Sequence, residues 1–364
     1  MNRKEKLLIY TADNSLHDAL GYIKELSEYD IVDIILYTDL MNLGNCEETV
    51  DKQLNQASVV FFDDFENKPI NNVFIRNSIF KAINNGKSII CSALFDEINI
   101  NEMKKAAAMK ELSFVYTPQP YIIKERDFIQ RVEASKIKEI STPVIFVAGI
   151  SERTEKYYIQ LALRHKFKSK GYSVAQIGTK NYCDIFGFHP FPAFMFSSEL
   201  SELSKIILFN HYVKKIELTE KPDVIIIGIP GGIMPLDTEF NNRFGITAYE
   251  ISQAVSPDAV IMSVLYENLP QEYFEEINLT AKYRFGFEID CFNISNTKFD
   301  WAESQSERKP CYLSVDKSFV NRKKAELNFQ NKPVYSILDS SDTEKLTDFI
   351  INRLSEYEML GIVD

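Results

Sequence analysis

Histidine, glycine and tryptophan are scarce in this 364-residue chain, which has 4, 13 and 1 of them. The five cysteines, Cys46, Cys91, Cys183, Cys291 and Cys311, lie far apart, with no C-x-x-C pair and no finger spacing. No H-x-x-x-H pair occurs either, so no metal site is expected. Long apolar runs are missing: 224–229 falls far short of the roughly 20 residues that span a bilayer. Positive charge is not in excess, with 41 Lys+Arg against 52 Asp+Glu and a net charge of −11. The acidity is no tail, since residues 1–140 hold 17 basic and 22 acidic side chains and the remainder holds 24 and 30. Nucleic acid and anionic membranes are therefore excluded as default partners. An odd number of cysteines, with a short apolar strand at the N-terminus in place of a secretion signal, leads us to expect reduced thiols in a soluble, cytoplasmic protein.

What is present is globular. Hydrophobic residues at 45% and charged residues at 26% exclude wholesale disorder, collagen and coiled coil. The length calls for two domains, or three. Apolar runs at 6–11, 31–37, 58–62 and 88–94 read as buried parallel strands, and helical spacing at 16–26, 74–83 and 101–112 alternates with them. The first βα turn, Thr11-Ala12-Asp13-Asn14-Ser15, has no glycine. A dinucleotide site needs glycine there, so this Rossmann-like domain is not expected to bind NAD.

Pro143 follows a charged span at 121–142 and opens a second series. The reading is therefore an α/β chain of two parallel-sheet, three-layer domains, 1–141 and 142–364. Strands are expected at 144–150, 172–178, 223–229, 258–266, 287–294 and 334–338. Helices are expected at 155–169, 199–218, 246–255, 272–283 and 342–360. Residues 297–330 are polar, with Trp301 among them, and read as a surface excursion or an arm.

Three loops carry candidate chemistry. The first runs Val144-Ile145-Phe146-Val147-Ala148-Gly149-Ile150-Ser151-Glu152-Arg153-Thr154-Glu155-Lys156-Tyr157. A buried strand, a glycine turn and a lysine entering a helix are the layout of a phosphate-binding P-loop. Its spacing resembles that of dethiobiotin synthetase relatives, in which glycine precedes the lysine and threonine follows it. Here Glu155 and Tyr157 stand in those places, replacing bare backbone with a negative charge and removing a Mg²⁺-ligating hydroxyl. The expectation is that Glu155 occupies the anion site itself, as a carboxylate suits a helix N-terminus.

The second loop is Asp223-Val224-Ile225-Ile226-Ile227-Gly228-Ile229-Pro230-Gly231-Gly232-Ile233-Met234-Pro235-Leu236. It resembles the E-G-x-G-G…P-L stretch of the same relatives, with Gly228 where they carry an acid. The third, Gly178-Thr179-Lys180-Asn181-Tyr182-Cys183-Asp184-Ile185-Phe186-Gly187-Phe188-His189-Pro190-Phe191-Pro192, is expected on the same rim. Ligand-binding candidates are Gly149, Ser151, Thr154, Thr179, Asn181, Asp184, Gly231 and Gly232. Lys156, Cys183 and His189 are the candidate catalytic groups, the last two because a thiol and an imidazole can form a nucleophile and base; a buried thiol and a hydrogen-bonded histidine is the plainer alternative.

Taken together, these elements and Ala254-Val255-Ser256-Pro257-Asp258-Ala259-Val260 resemble the amino-acid N-acyltransferase family that includes D-glutamate N-acetyltransferases. The stretches 177–194, 208–215, 222–236, 242–259 and 282–301 are closer to the peptide maturation system proteins of Gram-positive anaerobes. That resemblance implies a role in ribosomal natural-product maturation, with a radical-SAM maturase, an acyl-carrier-related protein and a small Cys-rich precursor peptide as partners. It implies no catalytic residues. The leading expectation is an accessory protein that binds peptide or maturase through the loop rim. The alternative is a transferase or ligase using nucleotide or acyl-CoA at that rim. A third reading, a homo-oligomerising scaffold, rests on Phe186, Phe188, Phe191, Phe194 and Phe196 forming an exposed aromatic loop.

Overall fold

The computed structural model describes residues 4–11, 16, 17, 19–38, 47–63, 70–117, 136–180, 183–327 and 332–360. Two compact units result, Met1–Tyr121 with Lys180–Ala193, and Ile122–Thr179 with Phe194–Asp364. The segment 180–193 belongs to the first unit although it lies between strands of the second.

The first unit is a five-stranded parallel sheet of β1 (Lys6–Thr11), β2 (Asp30–Leu36), β3 (Val59–Phe62), β4 (Ser88–Cys91) and β5 (Phe114–Tyr116), ordered β2-β1-β3-β4-β5. Its strands are near-continuous apolar runs because helices cover a parallel sheet on both faces. Chain order reverses between β1 and β3, and open α/β sheets place ligands beyond the carboxyl ends at such a point. There the buried Asp63 accepts from Thr11 Oγ1 at 2.6 Å and Ser92 Oγ at 3.3 Å, and its carbonyl accepts from Tyr37 Oη at 3.0 Å. Tyr10 and Phe62 stack beneath, with ring centroids 5.0 Å apart. Residues 12–15 of the glycine-free turn lie outside the described residues, as does Cys46.

The second unit has six parallel strands: β6 (Val144–Gly149), β7 (Val174–Ile177), β8 (Val224–Gly228), β9 (Ala259–Val264), β10 (Cys291–Ile294) and β13 (Val334–Tyr335). Their order is β13-β10-β9-β6-β8-β7. Every residue of β6, β8 and β9 is buried. The register sets Gly149 beside Ser263 of β9 and Val147 beside Gly228 of β8, so the Gly149 loop leaves the middle of the sheet. Ahead of β6, Asn210 grips Lys138 through both its amide N–H and its carbonyl (2.7 and 2.8 Å), and Glu217 accepts the Ser141 and Thr142 amides.

The sequence reading anticipated both parallel sheets. The polar stretch after 297 is more ordered than it implied. Strands β11 (Thr297–Phe299) and β12 (Tyr312–Ser314) pair antiparallel, and helices Trp301–Glu307 and Lys317–Glu326 follow them, capped by Asp300 and Asp316. Phe299 is the anchor: it is buried against Phe240, Trp301 and Tyr312.

Candidate functional site

The Gly149 loop is built by β6 and by the helix Lys156–Ser169. Glu155 stands at the N-terminal boundary of that helix with φ 59°, in the left-handed region, where a glycine would sit without strain. A side chain there costs about 1–2 kcal/mol. The carboxylate reaches the backbone N–H of Asn296, 141 residues further on, at 2.9 Å. The expectation that Glu155 fills the anion position is thus corrected, because its carboxylate makes no capping bond to the helix N-terminus and is held by Asn296. A Cβ on Gly149 would overlap the Thr154 hydroxyl and crowd Lys156 Cδ and Nζ, both 3.1 Å away.

Lys156 is buried, and its ammonium donates to Ser151 O at 2.5 Å, Gly231 O at 2.8 Å and Thr154 Oγ1 at 3.4 Å. Three acceptors of the chain itself surround the cation that a P-loop turns toward phosphate. Loop two is equally full. A Cβ on Gly228, where the resembled motif has its acid, would overlap the buried carboxamide of Gln160. One on Gly232 would lie 2.5 Å from Ile150 O and 2.6 Å from Asn242 Nδ2.

The floor of the loop is a buried polar chain that joins β9 and β10. Asn293 Nδ2 donates to Ser263 Oγ at 2.9 Å, Ser263 Oγ donates to Thr154 O at 2.5 Å, and Asn293 Oδ1 accepts from Ile337 N at 2.8 Å. Such satisfied networks fix a single arrangement. From above, the hydroxyls of Tyr312 and Ser151 share a hydrogen bond of 2.9 Å, and the Arg153 guanidinium lies 5.7 Å from the Tyr312 ring centroid. Asn242 Nδ2 closes the side by donating to Ile150 O and Met234 O at 3.2 and 2.8 Å.

The structure therefore brings together Gly149, Ser151, Thr154, Lys156, Gly231 and Gly232. It does not group the third loop with them, since Lys180–Ala193 falls in the first unit. Thr179 is half-buried at the end of the second unit's first segment, and Asn181 lies outside the described residues. Cys183 is fully buried in the 3-10 turn Cys183–Phe186, an inaccessible position for a nucleophile. Desolvation holds the Asp184 carboxyl above the ordinary aspartate range, although it accepts the Ile185 N–H at 3.1 Å. His189 is half-buried. The aromatic loop is not an exposed patch: Phe186, Phe188 and Phe191 are buried, and Phe186 stacks on Phe188.

Sequence reasoning missed Gln160, Ser263, Asn293, Asn296 and Tyr312. Each acts across the fold; only the polar residues inside the apolar runs 258–266 and 287–294, Ser263 and Asn293, gave a signal.

Strand order and loop together define a P-loop-like α/β frame with its cradle filled from within. No family model matches the chain, and no curated protein matches it. A DUF1611 family protein from Anabaena variabilis matches in structure over 96% of this chain and 100% of its own, with TM-score 0.56 and 11% identity. At that identity the likeness shows the fold alone. HypB from Helicobacter pylori, solved in complex with nickel, gives TM-score 0.30 and 16% identity over 59% of this chain and 87% of its own. Chloroplast FtsY from Physcomitrella patens gives 0.27 and 14% over 77% and 80%. No described helix is long and apolar enough to cross a membrane.

Proposed function

We propose that this protein is an accessory of peptide maturation, binding a precursor peptide or its radical-SAM maturase and using the P-loop-like frame as a scaffold without nucleotide hydrolysis. The observation that carries this reading is the seating of the Lys156 ammonium on Ser151 O, Gly231 O and Thr154 Oγ1. To meet a phosphate, the lysine would have to leave three acceptors in a buried site, and unmade buried hydrogen bonds cost about 1–3 kcal/mol each. The acid of the resembled motif is also missing, since Gly228 stands in its place with Gln160 packed over it. What remains is rigid surface. The partners come from the sequence resemblance.

Co-purification of the tagged chain with the radical-SAM maturase, the acyl-carrier-related protein and the Cys-rich precursor peptide tests the reading. Retention of the maturase or the precursor is expected; retention of none of the three would overturn it. A melting-temperature rise with acyl-CoA or nucleotide in the same preparation would instead promote the transferase reading.

A further inference from the structure

Residues Asn242–Gly245 make one turn of the wrong hand, with φ of 47, 51, 55 and 69°. Three of the four are not glycine, and each left-handed non-glycine residue costs about 1–2 kcal/mol. Strain of that kind persists only where the surroundings over-determine it. They do so here: Asn242 is clamped to Ile150 and Met234, Asn241 Oδ1 accepts the Arg243 N–H at 2.9 Å, and Arg284 Nη2 donates to the Phe244 carbonyl. A core requirement would explain the strain if it buried Phe244. Instead Phe244 is 54% exposed.

The helix that starts here, Ile246–Ala254, continues the display, with Ile246 43% and Tyr249 45% exposed one turn apart on the same face. Packed against it is a second uncommon form, the π-helical turn Ala281–Phe285, which presents Tyr283 at 81% exposure. Arg284 joins the two turns. Arg243 and Arg284 are both exposed, and neither forms an ion pair among the described residues. The nearby Lys282, by contrast, is paired with Glu288 at 2.6 Å.

Four exposed apolar or aromatic side chains flanked by two exposed guanidiniums, neither in a direct ion pair among the described residues, make a face with a chemical preference. Guanidinium forks match carboxylates bidentately and stack on aromatic rings. Tyr, Phe and Arg are also the residues that dominate the energetic centres of protein interfaces. On a chain of net charge −11, these two guanidiniums give the patch a local positive charge that suits a few isolated carboxylates.

We infer that the face formed by Phe244, Ile246, Tyr249 and Tyr283 with Arg243 and Arg284 binds an acidic polypeptide segment bearing apolar or aromatic side chains. This rests on the reading of the protein as a partner-binding accessory and names the chemistry of the partner. Because Asn242 clamps the same turn to the Gly149 loop, the filled cradle serves as the footing of this face.

The test uses the full chain as bait for a random peptide display library, then the selected peptides as labelled synthetic probes. Enrichment of sequences rich in Asp and Glu alongside Phe, Trp, Tyr or Leu is expected. Affinity should fall about tenfold or more in Arg243→Glu/Arg284→Glu, and likewise in Tyr249→Ala/Tyr283→Ala, because such anchors dominate interfaces. It should also fall with rising salt. Tyr249 and Tyr283 are exposed, so an unchanged melting temperature verifies folding of that double variant; Arg284 restrains the Phe244 carbonyl, so Arg243→Glu alone, which leaves that bond in place, is read beside the arginine pair.

Failure to enrich, or enrichment untouched by both double variants, overturns the inference. So does binding of a single-stranded oligonucleotide in place of peptide, or self-association that the variants abolish. Maturase or precursor co-purification that survives both double variants would sink this face and leave the accessory function standing. Acidic peptides bound without any maturase or precursor association would do the reverse.

Discussion

At the carboxyl end of the first sheet a buried carboxylate, Asp63, is held by the hydroxyls of Thr11 and Ser92. At the same end of the second sheet a buried ammonium, Lys156, is held by the carbonyls of Ser151 and Gly231. Topology supplies a crevice at both places, because parallel strands end together and their connections part there. In each the chain has placed a charge and then answered it with its own groups, with opposite signs. The scaffolding differs. Asp63 is met by residues that end neighbouring strands, whereas the Lys156 loop is clamped by Asn242, Asn296, Tyr312 and Ser263 from four separate segments. A parallel sheet makes a ligand site available; side chains decide whether it stays open.

If the second site depends on close backbone approach and the first does not, glycine substitutions should separate them. Gly245→Ala is the most severe change we foresee, since its Cβ would overlap the Ile233 carbonyl at a left-handed position. A loss of about 3 kcal/mol or more is expected, read as loss of cooperative melting or a large fall in Tm.

Next come the two charges. Lys156→Met should cost about 2–4 kcal/mol, as it strands the buried Ser151 carbonyl and the half-buried Gly231 carbonyl. Asp63→Ala should cost less, about 1–3 kcal/mol, because Thr11 and Ser92 hydroxyls can turn to other acceptors. Urea midpoints of the two variants measure this, and a larger loss for Asp63→Ala would reverse the ranking of the two sites.

The smallest effect belongs to Gly86→Ala in the first unit, left-handed at φ 72° but with nothing within 4 Å of the added Cβ. About 1 kcal/mol is expected, the conformational term alone. Its contrast with Gly245→Ala in a paired melt isolates the packing contribution.

Both sheets were legible from apolar runs such as Val-Ile-Ile-Ile-Gly at β8, since strands buried on two faces need no alternation. The unusual character of the Gly149 loop was legible too, because Glu155 departs from a known spacing. Its resolution was not. Glu155 meets a backbone amide 141 residues away, and Gln160 fills the space over Gly228 from the helix beneath; neither pairing has a local signature. The hairpin at β11 and β12 escaped notice because its strands are three residues each and lean on one buried ring, Phe299. The phenylalanines of 186–191 misled for a related reason: composition marks an aromatic cluster but not the side it faces. Only Asn242, a residue tolerant of left-handed backbone, hinted at the turn that continues through Arg243 and Phe244.

The central claim is that the second unit keeps the frame of a P-loop and has given its cradle to its own lysine. Calorimetric titration of Mg·ATP and Mg·GTP into the wild-type chain and into Glu155→Gly, which restores the motif's glycine, tests it most directly. No saturable heat is predicted for either, because the Lys156 ammonium stays held by Ser151 O and Gly231 O. Saturable binding to the wild type that disappears in Lys156→Met would contradict the account.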